Sequence, residues 1–276
     1  MKIADVREII EKAAPLSLQE NWDNSGWQLL LADKCREINC IMVALEATSS
    51  VIDEALRCGA EVLVTHHPLI FGSLNKVDCN DVTGKLMIRL IESGISVYSS
   101  HTPFDKCEGG NNDYLASLLR LLDIRPMNTD AMGYCREGLV DGQCSIGEYI
   151  EQVCRWLKLK SDMISFCGNP NQTAGKIGLC TGAGGEFIRA AKEAGCDLFI
   201  TGDVKYHTAR EAKEIELNVL DIGHYGSEKI FTDNMAGYLS NNSDIEIIKS
   251  TEDLNPFHSY KRDIRKRENE SKEEKR

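Results

Sequence analysis

IMVALEATSSVIDEALRCGAEVLVTHH, residues 41–67, and IGLCTGAGGEFIRAAKEAGCDLFITGD, residues 177–203, lie 136 positions apart and decide how this chain folds. Ile41 aligns with Ile177, Ile52 with Ile188, Ala55 with Ala191, Gly59 with Gly195, Glu61 with Asp197 and Thr65 with Thr201. Each stretch reads as strand, loop, helix, glycine turn, strand. Val51, Ile52, Ala55 and Leu56 recur at helical spacing, as do Phe187, Ile188 and Ala191. Gly59 and Gly195 stand where a helix C-cap is expected. Val62 to Val64 and Leu198 to Ile200 are short unbroken apolar runs, the mark of strands buried on both faces. Strand, helix, strand predicts a βαβ unit with parallel strands.

A second echo follows each unit. ISVYSSH, ending at His101, resembles LNVLDIGH, ending at His224, and each histidine is followed four residues later by a carboxylate, Asp105 or Glu228. The offset falls from 136 to 123, which places 13 extra residues in the loop-like stretch from Leu69 to Gly84. The expectation is an α/β chain made of two similar βαβ-containing halves, 1–130 and 131–257. They are related by a pseudo-twofold duplication and packed around a shared dinuclear metal site. The stretch 258–276 is predicted to be a charged, disordered tail: from Lys261 to Arg276 there are eight basic and five acidic residues and one aliphatic, Ile264.

The chemistry gathers at predicted strand ends. His66-His67-Pro68 directly follows a buried strand, and neighbours on an extended chain point to opposite sides, so one strand end can serve two nearby ions. His101 to Asp105 and His224 to Glu228 follow two more strands. Two carboxylates and several imidazoles meeting across related halves would suit a pair of divalent ions, Zn, Fe, Mn, Ni or Co. Lys205 and His207 follow the mate of the His66-His67 strand. They are candidates for anion contact and for proton transfer, or for an exposed start to the next helix. The loop Asn21 to Gly26 either lines a pocket with Asp23 or Asn24 or satisfies its own backbone. Gly182, Gly184 and Gly185 form a tight turn or a phosphate cradle.

Composition narrows the classes. A net charge of −11 argues against nucleic acid as a partner, since binding rests on neutralising phosphates. Eleven cysteines without a CxxC pair, and an N-terminus without a secretory pattern, predict reduced thiols in a cytoplasmic protein. No apolar run approaches the roughly 20 residues of a membrane span.

The segments NWDNSG (21–26), VTHHPLIF (64–71), SSHTPFD (99–105), GGNNDYLA (109–116), TGDVKYH (201–207) and DIGHYGSE (221–228) occur in this order. Together they resemble the GTP cyclohydrolase I type 2 homologues, also called NIF-three-like proteins, over nearly all of 1–257. The resemblance implies a toroidal homohexamer with metal sites facing its interior. It also implies two ions held by His66, His67, Asp105, His224 and Glu228, with His101 beside them. Longer relatives carry an inserted domain between the halves; the junction here, Asn128 to Asn171, is too short for one. The chain departs from the family pattern at Glu46-Ala-Thr48, where Asp-x-Thr is usual, and near Leu30, and neither departure is expected to touch a ligand.

The function implied is hydrolysis of a small molecule, GTP or another nucleotide, by a metal-activated hydroxide that opens the purine imidazole ring at C8 and releases formate. His101, His207 and Lys205 would be the catalytic side chains. A nucleotide phosphoester or another cyclic amide would suit the same metals. The alternatives are a non-enzymatic metal-binding scaffold and a metal-handling protein.

Overall fold

The computed structural model describes residues 1–258; apart from His258, the expected tail lies outside the described residues. In the first part of the chain come α1 (Ile3–Ala13), β1 (Gly26–Leu29), β2 (Cys40–Ala44), α2 (Ser49–Cys58), β3 (Val62–Thr65), α3 (Val82–Ser93), β4 (Ser96–Ser99), α4 (Thr102–Lys106) and α5 (Asn111–Leu118). Then follow β5 (Leu122–Pro126), β6 (Arg136–Ser145), α6 (Ile146–Trp156), β7 (Ser165–Cys167), β8 (Thr173–Leu179), α7 (Ile188–Glu193) and β9 (Leu198–Thr201). The chain continues through α8 (Tyr206–Glu214), β10 (Asn218–Asp221), α9 (His224–Glu228), α10 (Phe231–Asn242) and β11 (Glu246–Lys249). The strands form two mixed sheets, ordered β1-β4-β3-β2-β11 and β5-β6-β8-β9-β10-β7.

The repeat seen in the sequence reappears as topology. β1 is antiparallel to β4, and β4, β3 and β2 run parallel. In the second sheet β7, β10, β9 and β8 repeat that order and those directions. The register repeats as well: Ile41 sits opposite Val62, and Ile177 opposite Leu198. The next strand shows one refinement. Ser96 corresponds to Asn218, 122 residues on, whereas His101 and His224 differ by 123. The added residue is Gly223, whose φ of 76° is left-handed backbone that glycine adopts without a Cβ clash.

Apolar runs form these strands because both faces are covered. Ile41, Val43, Val62 and Val64 face α1 and α10 through Ile3, Val6, Ile10, Phe231 and Leu239. Met42, Ala44, Leu63 and Val97 face α2 and α3 through Val51, Ile52, Ala55 and Leu90. In the second sheet Ile177, Leu179, Leu198 and Ile200 pack on α5 and α6, while Phe199 and Val219 pack on α7 and α8. The first helix of the repeat starts at Thr48, which accepts from Val51 N, and ends at Gly59 with φ 70°.

The sheets do not part at residue 130, where the repeat alone places the boundary. α5 precedes that point yet covers the second sheet. α10 and β11 come from the C-terminal part yet pack on the first, with β11 parallel to β2. A repeat marks what is copied within each half, not which half a terminal element joins. Among the described residues no helix is long and apolar enough to cross a membrane.

Candidate metal centre

The histidine-bearing strand ends of the two sheets meet. His66 and His67 leave β3, and both backbone N–H groups donate to the carbonyl of Leu45, 3.1 and 3.0 Å away. β4 runs into α4, with His101 just before the helix and Pro103 in its first turn, so that Asp105 follows on the same short helix. β10 runs through Gly223 into α9, which carries His224 and Glu228 four residues apart on one face.

Four imidazoles share one arrangement at Nδ1. His66 Nδ1 lies 3.0 Å from the carbonyl of Ser100. His101 Nδ1 lies 2.9 Å from Asp23 Oδ1, and His224 Nδ1 2.8 Å from Asp203 Oδ2. His67 Nδ1 lies 3.7 Å from Glu46 Oε2. An oxygen at Nδ1 keeps the proton there and leaves Nε2 as the basic nitrogen, which is how metal-ligating histidines are held. For three of the rings Nε2 faces carboxylate. His67 Nε2 is 2.9 Å and His224 Nε2 2.8 Å from Glu228 Oε2. His66 Nε2 is 3.6 Å from both Asp105 Oδ1 and Glu228 Oε1, buried and without a hydrogen-bond partner. A buried nitrogen with no donor or acceptor, poised between two carboxylates, fits a cation. His66, His67 and His101 offer ligand atoms within 4.8 Å of one another, as do His67, His224 and Glu228. The residues therefore suit a metal, with His67 common to both groups.

The acids are as firmly placed. Asp105 Oδ1 accepts from Asn111 Nδ2 (3.0 Å) and Thr181 Oγ1 (3.3 Å). Asn112 joins the lobes, donating to the Asp105 carbonyl and accepting from Thr181 N. Gly182, φ 66°, is a tight turn against the site. A Cβ there would lie 2.3 Å from Glu228 Oε1, so only glycine lets this backbone pass. Burial raises the pKa of Asp105. Burial also pushes Glu228 upward, but hydrogen bonds from His224 and His67 and the nearby ring of His66 outweigh it and hold Glu228 well below the usual carboxylate range. Burial opposes the charge on His67, yet Glu228 and Glu46 raise it to about 10. The hydrogen bond to Glu228 lifts His224 to about 9. Burial likewise opposes the charge on His66, and Asp105 and Glu228 raise its pKa nonetheless. Without metal the cluster is thus a protonated network.

The structure bears on four residues of the sequence reading. Glu46 does touch the site, through His67 Nδ1, although its place in the pattern argued otherwise. Lys205 and His207 are absent from the linings of both cavities that hold the cluster. Lys205 lines a neighbouring cavity with Glu186, Asp203 and Glu211, while the exposed His207 packs its ring on Tyr206. Asp23 is the residue the sequence left undecided: it is buried and accepts from Thr102 Oγ1 at 2.6 Å and Ser25 Oγ at 2.9 Å while holding His101.

The chain is similar to known proteins over nearly all of its described length. The model of a family described as Duf34/NIF3 (NGG1p interacting factor 3) matches residues 1–256. A Clostridium perfringens protein named GTP cyclohydrolase 1 type 2 homolog is 36% identical over 264 residues, covering 93% of this chain and 99% of that one. A namesake from Clostridium acetobutylicum is 33% identical over 233 residues, covering 83% and 85%. The crystal structure of a hypothetical protein from Staphylococcus aureus superposes with a TM-score of 0.87 at 27% identity, covering 94% and 99%.

Proposed function

The chain belongs to the Duf34/NIF3 family, and from that premise we propose that it is a dinuclear metal-dependent hydrolase acting on a purine nucleotide such as GTP. The observation that carries the reading is the set of imidazoles, three of them held at Nδ1 by an oxygen, around the unpartnered Nε2 of His66. His66, His67, Asp105, His224 and Glu228 are the proposed ligands. Glu228 would serve both ions, since Oε1 faces His66 while Oε2 faces His67 and His224. Divalent ions bound here supply Lewis acidity and lower the pKa of a coordinated water. The donor set of imidazole and carboxylate admits Zn, Fe, Mn, Ni or Co.

The chain's own residues do the rest. Asp23 keeps the Nδ1 proton of His101, so Nε2 of that ring gives and takes protons beside the cluster. Asn111 and Thr181 fix Asp105, and the Gly182 turn presses against Glu228 and excludes water from that side. Lys205 and His207 are left out of this assignment because they do not line the site. The homohexamer implied by the resemblance belongs to the proposal as well, and sedimentation tests it.

The decisive experiment loads the protein with Mn, Zn, Fe or Co and incubates it with a nucleotide panel, comparing wild type with Glu228→Gln. Ring opening of GTP, or hydrolysis of another nucleotide, that disappears in the variant supports the reading. Metal-replete wild type without turnover overturns it in favour of a scaffold or a metal-handling protein.

A further inference from the structure

Two large rings stand in water at the mouth of the 450 Å³ cavity over the cluster. Trp22 is 54% exposed and Phe71 66%. Their centroids are 6.1 Å apart, and each lies edge-on to His101, at 5.7 and 6.4 Å. The segments that carry the rings are anchored by their neighbours. Asp23, next to Trp22, is buried and bonded to His101 and Thr102. The segment carrying Phe71 is tied to the Trp22 loop, since Asn24 Nδ2 donates to the Ile70 carbonyl (2.8 Å) and Ile70 N donates to Gln28 Oε1 (3.0 Å). Across the cavity Tyr134 and Phe187 form a second aromatic wall, 5.8 Å apart.

A single exposed apolar side chain is ordinary on a protein surface. Two adjacent rings, carried on segments whose neighbouring residues are hydrogen-bonded and opening onto a polar centre, make a wall of the kind that binds ligands. Aromatic faces select other flat rings through offset-stacked and edge contacts. We infer that Trp22 and Phe71 are ligand-recognition residues that stack against a flat heteroaromatic ring and turn its edge toward the histidine and carboxylate cluster. The inference rests on the metal-site reading above and adds to it what sets ligand shape. His101, held between Asp23 and these rings, lies between the bound ring and the cluster.

The test uses the full-length, manganese-loaded protein with guanosine, adenosine and pterin as flat probes and ribose 5-phosphate as the ring-free control. Binding is measured by equilibrium dialysis and by saturation-transfer NMR on the probe protons. Trp22→Ala and Phe71→Ala are each expected to weaken the flat probes about tenfold. Trp22→Phe should recover most of that loss, and manganese content and sedimentation should stay unchanged. Flat probes that fail to bind wild type, or bind the alanine variants equally well, overturn the inference. So does a change in sedimentation with affinity intact, which would mark the rings as a contact between copies. If flat probes bind through Trp22 and Phe71 but none is turned over, the slot stands and the hydrolase reading falls. If GTP is hydrolysed with the same KM by Trp22→Ala and wild type, the hydrolase reading stands and the slot falls.

Discussion

Metal binding here must expel protons, and their number follows from the site. In the metal-free protein His67 has a pKa of about 10 and His224 of about 9, so both carry a proton at pH 7.5. An imidazole ligates only when neutral, so filling the site releases at least two protons. The sign is direct: lowering the pH favours the proton-bound, metal-free state, and raising it favours binding until the pH passes about 9 and then 10. Between pH 7 and 8 the apparent affinity for manganese should rise about a hundredfold, tenfold for each proton displaced. Glu228→Gln removes the carboxylate that contacts both rings, at 2.9 and 2.8 Å. Their pKa values then fall toward the unperturbed ~6.5, where only about a tenth of each ring is protonated at pH 7.5. Titration calorimetry in buffers of different ionisation enthalpy counts the protons. Wild type should release two or more and the variant clearly fewer. Release of less than one proton by wild type, or equal release by both proteins, would refute the reasoning.

Asp23→Asn leaves the proposed ligands untouched but removes the carboxylate at His101 Nδ1. Metal content should hold, turnover should fall roughly 10- to 100-fold, and nitrogen NMR should show a changed His101 tautomer. Gly182→Ala places a Cβ 2.3 Å from Glu228 Oε1 at a φ of 66°; calorimetric melting should show a loss of about 1–3 kcal/mol or more, with weakened manganese binding. Glu54 is buried and accepts from Ser250 Oγ and from Thr251 N and Oγ1. Burial raises its pKa, but those bonds prevail and lower it. A depressed carboxylate stabilises the fold above its unfolded value, ~4.3, and loses that effect as pH falls through the folded one. Glu54→Gln should therefore melt earlier than wild type at pH 7, and the gap should close in acid; a gap that persists at pH 3 counts against this account.

The parts of the fold legible in the chain were those built from short-range order. Ile41 to His67 and Ile177 to Asp203 declared strand, helix and strand through periodicity, and the register recurs at the same offset. The edge strands β1 and β7 carry no such signal, being four and three residues long. The crossing of α10 and β11 to the first sheet depends on which apolar face is left uncovered once the rest has packed.

The candidate site divides in the same way. Histidines and carboxylates at strand ends were visible as residue types at a spacing, because strand and helix periods fix where neighbours point. Which oxygen holds each imidazole was not visible. Asp23 reaches His101 across 78 positions, and Glu228 reaches His67 across 161. Lys205 and His207, equally polar, do not line the cavities over the cluster. Local pattern determined the βαβ units and the donor types by itself. Only tertiary packing chose the partners, because a hydrogen bond between distant residues depends on how whole layers meet, and no period in the chain encodes that distance.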